Sequence, residues 1–290
     1  MLQTAVEGLA YGGLYALLGL GFFLTYGVLR RIDLAYGTVV MTSVYLGAMI
    51  AGGLGLPWPA VVVLTLVAGV PLSLLVAYIA FFLIRQDARF SMAATLGIWM
   101  ALEELILQSP GRGRGQPVSN PLQDMSLWLG ELQLRIDHLL IFGLGLVIAM
   151  LLVRFLSTSR NGLAIRVSAY DADVAALLGI SHRRMMILAT VIASAVGCIA
   201  GWSFAVAQSG IDLHFGMWAT VKGLVILVLG GTQSIPLIVT AAVGLGIAER
   251  VGSELIGSGY RDLVGYGVIL LLLAAEPFLR SGGLRSGDRR

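Results

Sequence analysis

The sequence predicts an all-α protein, a polytopic integral membrane helical bundle of about eight or nine spans. Hydrophobic residues make up 58% of the 290 residues and charged residues 12%, about half of the 25% that is usual in soluble domains. The apolar residues fall into repeated runs, most of about 17–25 residues, which is the length that crosses a bilayer. Glycine is abundant, at 38 residues, as in membrane helices that pack closely. The chain therefore needs lipid as its solvent.

Six long apolar runs come first along the chain, and we expect each to cross the membrane once. They are residues 8–29, 35–53, 60–84, 91–108, 138–155 and 185–208. Two shorter runs, 217–230 and 235–248, follow on either side of the sequence GGTQSIP, so we expect a broken or re-entrant helix pair there. Irregular backbone at membrane depth is tolerated where protein buries it or where it lines a cavity. A last span is expected at 263–279, and residues 1–290 form a single domain.

The arginines predict the orientation of the bundle, because cytoplasmic loops are enriched in positive charge. Thirteen fall on one predicted side: Arg30, Arg31, Arg85, Arg89, Arg154, Arg160, Arg166, Arg183, Arg184, Arg280, Arg285, Arg289 and Arg290. Five fall on the other: Arg112, Arg114, Arg135, Arg250 and Arg261. This places the N-terminus outside, the C-terminus in the cytoplasm, a loop at 109–137 outside, and a loop at 157–184 in the cytoplasm.

Within the cytoplasmic loop, residues 160–180 form a polar segment between two apolar runs. Asp171 and Asp173 are typical of the first turn of a helix, where the helix dipole favours negative charge. Val174, Leu177 and Leu178 recur at helical spacing and form an apolar stripe. A helix this short is marginal in water without a packing partner. The stripe therefore needs a surface, either of this bundle or of another protein.

Gly179 follows the stripe, at the place where a left-handed residue usually ends a helix, and Ile180 can pack back across it. This loop resembles the cytoplasmic segment G-x-A-x-R…D…A-x-LLGI of membrane subunits of branched-chain amino acid ABC importers, the LivH/LivM family. The matching residues are Gly162, Ala164, Arg166, Asp171, Ala175, Leu177, Leu178, Gly179 and Ile180. In that family the segment contacts the ATPase subunit.

Three further stretches resemble the same family in the same order, at residues 12–41, 94–107 and 221–236. The resemblance to the LivH-type subunit is closer than that to the LivM-type. Two places depart from the family pattern. The turn usually written I-N-x-A-H-G reads Ile32-Asp33-Leu34-Ala35-Tyr36-Gly37, and Gln233 and Pro236 interrupt the usual GGxGSxxG break.

The resemblance implies a permease subunit of an ABC importer in the bacterial inner membrane, working by ATP-driven alternating access on branched-chain or related small amino acids. It implies cytoplasmic ATPase subunits, a second permease subunit of the LivM type and a substrate-binding protein outside. No GxxxxGK[ST] loop occurs in the sequence, so we expect no cofactor in this chain, with ATP and Mg²⁺ bound on the partner ATPases. Urea, short amides and other amino acids stay open as cargo.

Five residues are candidates for the translocation path: Lys222, Gly230, Gly231, Asp33 and Tyr36. Lys222 is the single lysine and lies in a short apolar helix, where a charge is costly and often functional. It either faces a substrate carboxylate, extends its amine outward, or pairs with a carboxylate of the chain. Glu249 lies at the end of an apolar run, and we expect it to be solvated or interfacial.

Other classes of function have less support in the sequence. No group of His, Cys and carboxylates has the spacing of metal ligands, and no nucleophile–base arrangement stands out, so neither a metal site nor a catalytic residue is expected. The arginines flank the spans and do not form a stripe with interleaved aromatics, so no nucleic acid is expected. The alternative is an ion-coupled secondary transporter of a small polar solute, and dependence of uptake on ATP would separate the two.

One six-residue pattern occurs twice. The segments 32–37 (IDLAYG) and 211–216 (IDLHFG) each precede an apolar run. Inverted repeats in transporters place such turns on opposite faces of the membrane, and the predicted orientation does the same. The echo is either the trace of an inverted repeat or a chance match, since six residues are few.

Overall fold

The computed structural model of the protein describes residues 2–83, 88–109, 115–118, 120, 125–129, 132–231, 234–257, 265 and 267. The helices are α1 Leu2–Leu29, α2 Tyr36–Leu54, α3 Trp58–Ala77, α4 Ala88–Leu107, α5 Ile136–Thr158, α6 Arg160–Tyr170, α7 Ala172–Leu177, α8 His182–Ala207, α9 His214–Gly230 and α10 Ile235–Ile256. A π-helical turn, Tyr78–Leu83, continues α3. The strands are β1 Gln116–Pro117, β2 Ser126–Leu129, β3 Leu132–Arg135 and β4 Gly210–Ile211.

Seven of the described helices are long and apolar enough to cross a membrane, and the class is all-α as predicted. Six of them coincide with the six long runs of the sequence. The predicted pair of short helices is half right. Helix α9 has 17 residues and is short, but α10 has 22 and is long enough for a complete crossing. The prediction of a short run at 235–248 was wrong because the helix continues through Glu249 and Arg250. The expected span at 263–279 lies outside the described residues, except for residues 265 and 267.

Helix α1 is the centre of the bundle. It packs against α5, α8, α9 and α10, and its side chains are largely buried. The outer helices α3, α4 and α5 bury far less of their surface and expose apolar side chains such as Leu96, Met100 and Met150. Lipid is the natural neighbour of such a surface, since a membrane-exposed face gains nothing from being polar.

Two small sheets lie beside the helices. Strands β2 and β3 form an antiparallel hairpin, and β1 pairs with β4 through Gln116 opposite Ile211 and Pro117 opposite Gly210. The second pairing joins the segment predicted as an outer loop, 109–137, to the turn that leads into α9. These strands add local order to the loop without changing the helical class.

The two copies of the six-residue pattern, 32–37 and 211–216, lie where helices α2 and α9 cross. Helices α2 and α9 pack against each other, and their first turns are in contact. The Gly37 N–H donates to the Thr220 hydroxyl at 3.1 Å. A Cβ on Gly37 would overlap the Gly216 carbonyl, and a Cβ on Gly216 would press on Thr38. The two segments that share the pattern therefore lie next to each other, at a close approach of α2 and α9.

Candidate functional site

The cap, residues 160–180, folds as two short helices against one end of the bundle. Ser159 precedes α6 and accepts a hydrogen bond from the Gly162 N–H at 2.9 Å. Asp171 separates α6 from α7, and its carboxylate accepts from the N–H groups of Asp173 at 2.8 Å and Val174 at 3.2 Å. These two side chains satisfy amides that have no partner inside their own helices. The cap thus has a defined shape although both of its helices are short.

Helix α7 ends in the way the sequence predicted. Gly179 has a φ of +75°, its N–H donates to the Ala176 carbonyl at 3.0 Å, and the Ile180 N–H donates to the Ala175 carbonyl at 2.9 Å. This pair of bonds is the Schellman arrangement, which stops a helix at a left-handed glycine. The stop leaves the last turn of α7 projecting from the cap.

The projecting turn carries apolar side chains into solvent. Leu177 is 88% exposed and Leu178 is 65% exposed, and Tyr170 and Val174 are exposed beside them. We call these four residues the docking face. Ala175 has no exposed surface and packs against the bundle. The sequence left open whether the stripe rests on this bundle or on another protein, and the structure leaves it uncovered by the described residues.

The cap is attached by hydrogen bonds to the segment after α1 and to the start of α8. The Arg30 guanidinium, between α1 and α2, donates to the Ala169 carbonyl at 3.1 and 2.9 Å. The Ser168 hydroxyl lies 2.5 Å from the Nδ1 atom of His182, at the start of α8. The cap is therefore joined to α1 and α8, the two helices that precede the crossing turns.

The eight predicted coupling residues divide by position. Gly162 and Ala175 are buried on the bundle side, and a Cβ at Gly162 would overlap the Phe155 carbonyl. Arg166, Leu177, Leu178 and Gly179 are exposed, whereas Asp171 and Ile180 are half-buried and hold the ends of α7. The exposed members offer the most surface to another protein. The buried and half-buried members give the cap its shape.

A charged pair lies in the interior of the bundle. Lys222 on α9 forms an ion pair with Glu249 on α10, and the two side chains are 1% and 0% exposed. The Tyr15 hydroxyl donates to the other carboxylate oxygen of Glu249 at 2.6 Å. The Lys222 ammonium also lies 5.6 Å from the centre of the Tyr15 ring and 5.8 Å from that of Trp218. A cation is attracted to such ring faces. The sequence had named a carboxylate partner for Lys222 as one alternative.

Glu249 was assigned wrongly from the sequence. Its position at the end of an apolar run predicted a solvated or interfacial carboxylate, but it is buried and bonded on both oxygens. Its neighbour Arg250 points to the periphery and pairs with Glu7 at 2.5 Å. Both residues lower the local hydropathy. The hydropathy does not show that consecutive side chains of a helix point in different directions. The signal that could have found Glu249 is the buried lysine itself, which needs an opposite charge.

The other predicted path residues have neighbours of their own. Tyr36 packs against Phe22 and donates its hydroxyl to the Ala193 carbonyl at 3.1 Å. Gly230 and Gly231 form the reversal between α9 and α10, where Gly231 has a φ of +71° and a Cβ on Gly230 would overlap Ile238. All these residues are inside this chain rather than on its surface, apart from a partly exposed Gly231. Their role in translocation stays a prediction.

Asp33 is the buried cap of helix α2. It is 8% exposed and accepts a hydrogen bond from the Ala35 N–H at 3.0 Å. Burial raises the pKa of Asp33 to about 6, against the opposing effect of backbone N–H donors at Ala35 and Tyr36. Its counterpart Asp212 accepts from the Phe215 N–H at 3.2 Å but is exposed. The Asp33 carboxyl group thus supplies a hydrogen-bond acceptor for a backbone amide at the N-terminal end of α2.

Within the part of the chain that the structure describes, no group of three His, Cys, Asp or Glu residues could hold a metal ion.

Comparison with known proteins finds relatives over nearly the whole chain. The sequence profile of the family described as "Branched-chain amino acid transport system / permease component" matches residues 4–273. The high-affinity branched-chain amino acid transport system permease protein BraD of Pseudomonas aeruginosa is 27% identical over 95% of this chain and 94% of its own. The corresponding permease protein LivH of Escherichia coli is 28% identical over the same shares.

The fold also has a relative among solved structures. An inward-facing structure described as a metal-chelate type ABC transporter matches with a TM-score of 0.50 and 19% identity, covering 94% of this chain and 86% of that one. At this identity the likeness concerns the fold alone.

Proposed function

The chain belongs to the family of branched-chain amino acid transport permease components, and on that basis we propose that it is one permease subunit of an ATP-driven importer of branched-chain or related small amino acids. The curated relatives carry that cargo in their names, and the family matches this chain from end to end of its predicted bundle. The ATP-free alternative, an ion-coupled transporter, has no comparable support.

The docking face is the observation that carries the proposal. Leu177 and Leu178 are held in solvent by a helix whose ends are bonded and whose inner side chain, Ala175, is packed. Exposing two large leucines costs free energy that burial against a partner would recover, at roughly 25 cal/mol per Å² of apolar surface. A soluble ATPase subunit is the partner that the family supplies. The face is small, so we expect further contacts from the exposed Arg166.

The attachments of the cap supply a route for motion. A push on the docking face moves α6 and α7, and the bonds from Arg30 to Ala169 and from Ser168 to His182 carry that displacement to α1 and α8. These helices lead into the crossing of α2 and α9 at Gly37 and Gly216. Rigid movement of packed helices about such a crossing is a common form of alternating access.

We derive the rest of the proposed assembly from the family and from the orientation that the arginines predict. The cap faces the cytoplasm, where ATP is, and the opposite end, with Glu7 and Arg135, faces outward, so the N-terminus is outside and the C-terminus is inside. A second permease subunit of the LivM type completes the pore, and a substrate-binding protein docks on the outer end. Asp33 and Tyr36 precede the crossing directly, Lys222 follows it on α9, and Gly230 and Gly231 end that helix, and we assign these five residues to the translocation path.

Co-purification tests the docking role. The full chain is expressed with its neighbouring transport genes and solubilised in a mild detergent, and the bound ATPase is quantified. Leu177→Asp should reduce ATPase recovery at least about tenfold, because a charge replaces a buried apolar contact. Asn161→Asp is the matched control, since it adds the same charge to an exposed position of the same cap and should leave recovery unchanged. Equal recovery with both variants would sink the docking role.

Uptake tests the energy source and the cargo. In membrane vesicles supplied with the binding protein, leucine accumulation should require internal ATP and should persist when an ionophore collapses ion gradients. Accumulation that needs the gradient and not ATP would instead identify a secondary transporter. Competition by isoleucine and valine, without competition by urea or acetamide, would support the proposed cargo.

A further inference from the structure

A largely apolar cavity with a charged rim lies at the end of the bundle opposite the cap. It has a volume of about 260 Å³ and separates the first turns of α1 and α5. Its rim carries Glu7, Arg135 and His138, and its deeper wall includes Ala10 and Phe142. The residues of the docking face do not line this cavity, and neither do Lys222 and Glu249.

The charges around the cavity balance. Glu7 pairs with Arg250 at 2.5 Å, and Arg135 pairs with Asp137 at 2.6 Å. The two bonds from Arg135 to Asp137 use two of its five N–H groups, which leaves three to meet an oxyanion. Glu7 is partly exposed and accepts a single described hydrogen bond on one carboxylate oxygen. A ligand with both an anionic and a cationic group would fit this balance better than a simple anion or cation.

The depth of the cavity narrows the class of ligand. The apolar spans begin at Val6 in α1 and at Ile136 in α5, so Glu7 and His138 stand at the level of lipid headgroups. Ala10 and Phe142 lie one turn deeper on the same helices. Leu139 lines the cavity and is also exposed on the outer face of α5. The cavity therefore adjoins the lipid-facing surface and has a polar upper part and an apolar lower part.

We propose that this cavity binds a phospholipid whose headgroup carries a primary ammonium. The lipid phosphate meets the remaining N–H groups of Arg135, and the ammonium donates to Glu7. The first acyl carbons lie against Ala10 and Phe142. A free branched-chain amino acid offers the same pair of charges, but its short side chain does not extend along the lipid-facing surface as an acyl chain does. The lipid would hold α1 and α5 in register on the outer side of the bundle.

The test uses the full complex in mild detergent with three probes: dihexanoyl phosphatidylethanolamine, dihexanoyl phosphatidylcholine and leucine. Binding is measured by native mass spectrometry and by titration calorimetry. The ethanolamine lipid should bind about tenfold or more tightly than the choline lipid, because a trimethylammonium has no N–H to donate to Glu7. Glu7→Gln should remove most of this preference. Leucine should not displace the lipid.

A filling variant tests the place of binding without changing a charge. Leu139→Trp extends a ring toward the cavity and should weaken binding of the ethanolamine lipid about tenfold. Leu140→Trp is the matched control, because Leu140 is exposed on the same helix and does not line the cavity. Equal binding of the two lipids, displacement by leucine, or equal affinity in the two tryptophan variants would each overturn the proposal.

Discussion

The interior of the bundle encloses a charged pair, whereas the cap leaves apolar side chains in water. Lys222 and Glu249 are almost wholly buried yet bonded to each other and to Tyr15. Leu177 and Leu178 are apolar yet exposed. Each region departs from the usual pattern, in which charged side chains are exposed and large apolar ones are buried. The difference is where the compensation comes from, since the charges are neutralised within the chain, whereas we propose that another protein covers the leucines.

This comparison separates two kinds of outcome. A change in the interior should first lower the stability of the bundle and affect uptake through it. A change on the docking face should leave stability alone and affect uptake directly.

Lys222→Met should have the largest effect. It leaves the Glu249 carboxylate buried without its cation, and losing one partner of a buried pair typically costs about 3–5 kcal/mol. Thermal unfolding of the detergent-solubilised protein would measure the loss. Arg250→Met is the matched control on the same helix, because Arg250 and Glu7 are partly exposed and such pairs contribute about 0–1 kcal/mol.

The double variant Lys222→Met/Glu249→Met sharpens the result. Removing both charges should restore most of the stability. Restored stability with normal uptake would identify the pair as structural. Restored stability without uptake would show that Lys222 acts on the translocated molecule. If Lys222→Met alone unfolds at the same temperature as the parent, then the ion pair does not stabilise the interior of the bundle as expected.

Two substitutions on α7 provide the next test. Ala175→Asp places an unpaired charge at a position with no exposed surface, which costs about 2 kcal/mol or more, and should make the cap sensitive to protease. Leu177→Asp, two residues away and 88% exposed, should leave protease resistance unchanged while uptake falls. Limited proteolysis and leucine uptake on the same preparations would decide. Parallel behaviour of the two variants would remove the distinction between inner and outer sides of the cap.

Asp33→Asn should stabilise the bundle at neutral pH. The raised pKa of Asp33, from 3.8 to about 6, means that the fold favours the neutral carboxyl. Its contribution to stability is complete below pH 3.8 and is lost as the pH rises to about 6. The asparagine keeps an oxygen for the Ala35 N–H without the charge, so the gain at pH 7.5 should be about 1–3 kcal/mol.

Melting curves of Asp33→Asn and the parent at pH 4.5 and 7.5 would measure this, with a clearly smaller gain from the substitution at the lower pH. Asp212→Asn is the control in the counterpart turn, where the side chain is exposed and a change within about 0.5 kcal/mol is expected. A gain that is the same at both pH values would show that the charge of Asp33 is not its cause.

Asp171→Ala should have the smallest effect. It removes the acceptor for the N–H groups of Asp173 and Val174, and loss of such a cap costs about 1 kcal/mol. The loss is local to α7, so amide hydrogen exchange should rise there while the global unfolding midpoint stays fixed. Uptake should fall partially, because the docking face is less often in place. Asp173→Ala is the matched change, since its own carboxylate caps no described amide. Exchange in α7 that rises equally in both variants would contradict the capping role.

Features set by local sequence were predictable. The six long spans followed from the length of apolar runs, and the left-handed end of α7 followed from Gly179 after an apolar stripe. The two segments that share a six-residue echo lie in contact. For the spans and the end of α7 the deciding interactions lie within one helix or one turn.

Features set by packing between distant helices were not predictable in the same way. Glu249 is 27 residues from Lys222 and 234 from Tyr15, and its place at a hydropathy boundary suggested solvent. The length of α10 was missed for the same reason, because the pairs of Glu249 and Arg250 allow the helix to continue through both charges. Whether Leu177 and Leu178 rest on this bundle depended on the docking of the whole cap, which no local pattern encodes.

The solitary lysine has a consequence for chemical labelling. A reagent that acylates side-chain amines has one target in the whole sequence, and that amine is bonded to Glu249 between aromatic rings. In the closed bundle the target is out of reach of a bulky reagent. Modification at Lys222 would therefore record each separation of α9 from α10, turning the protein into its own single-site reporter of interior opening.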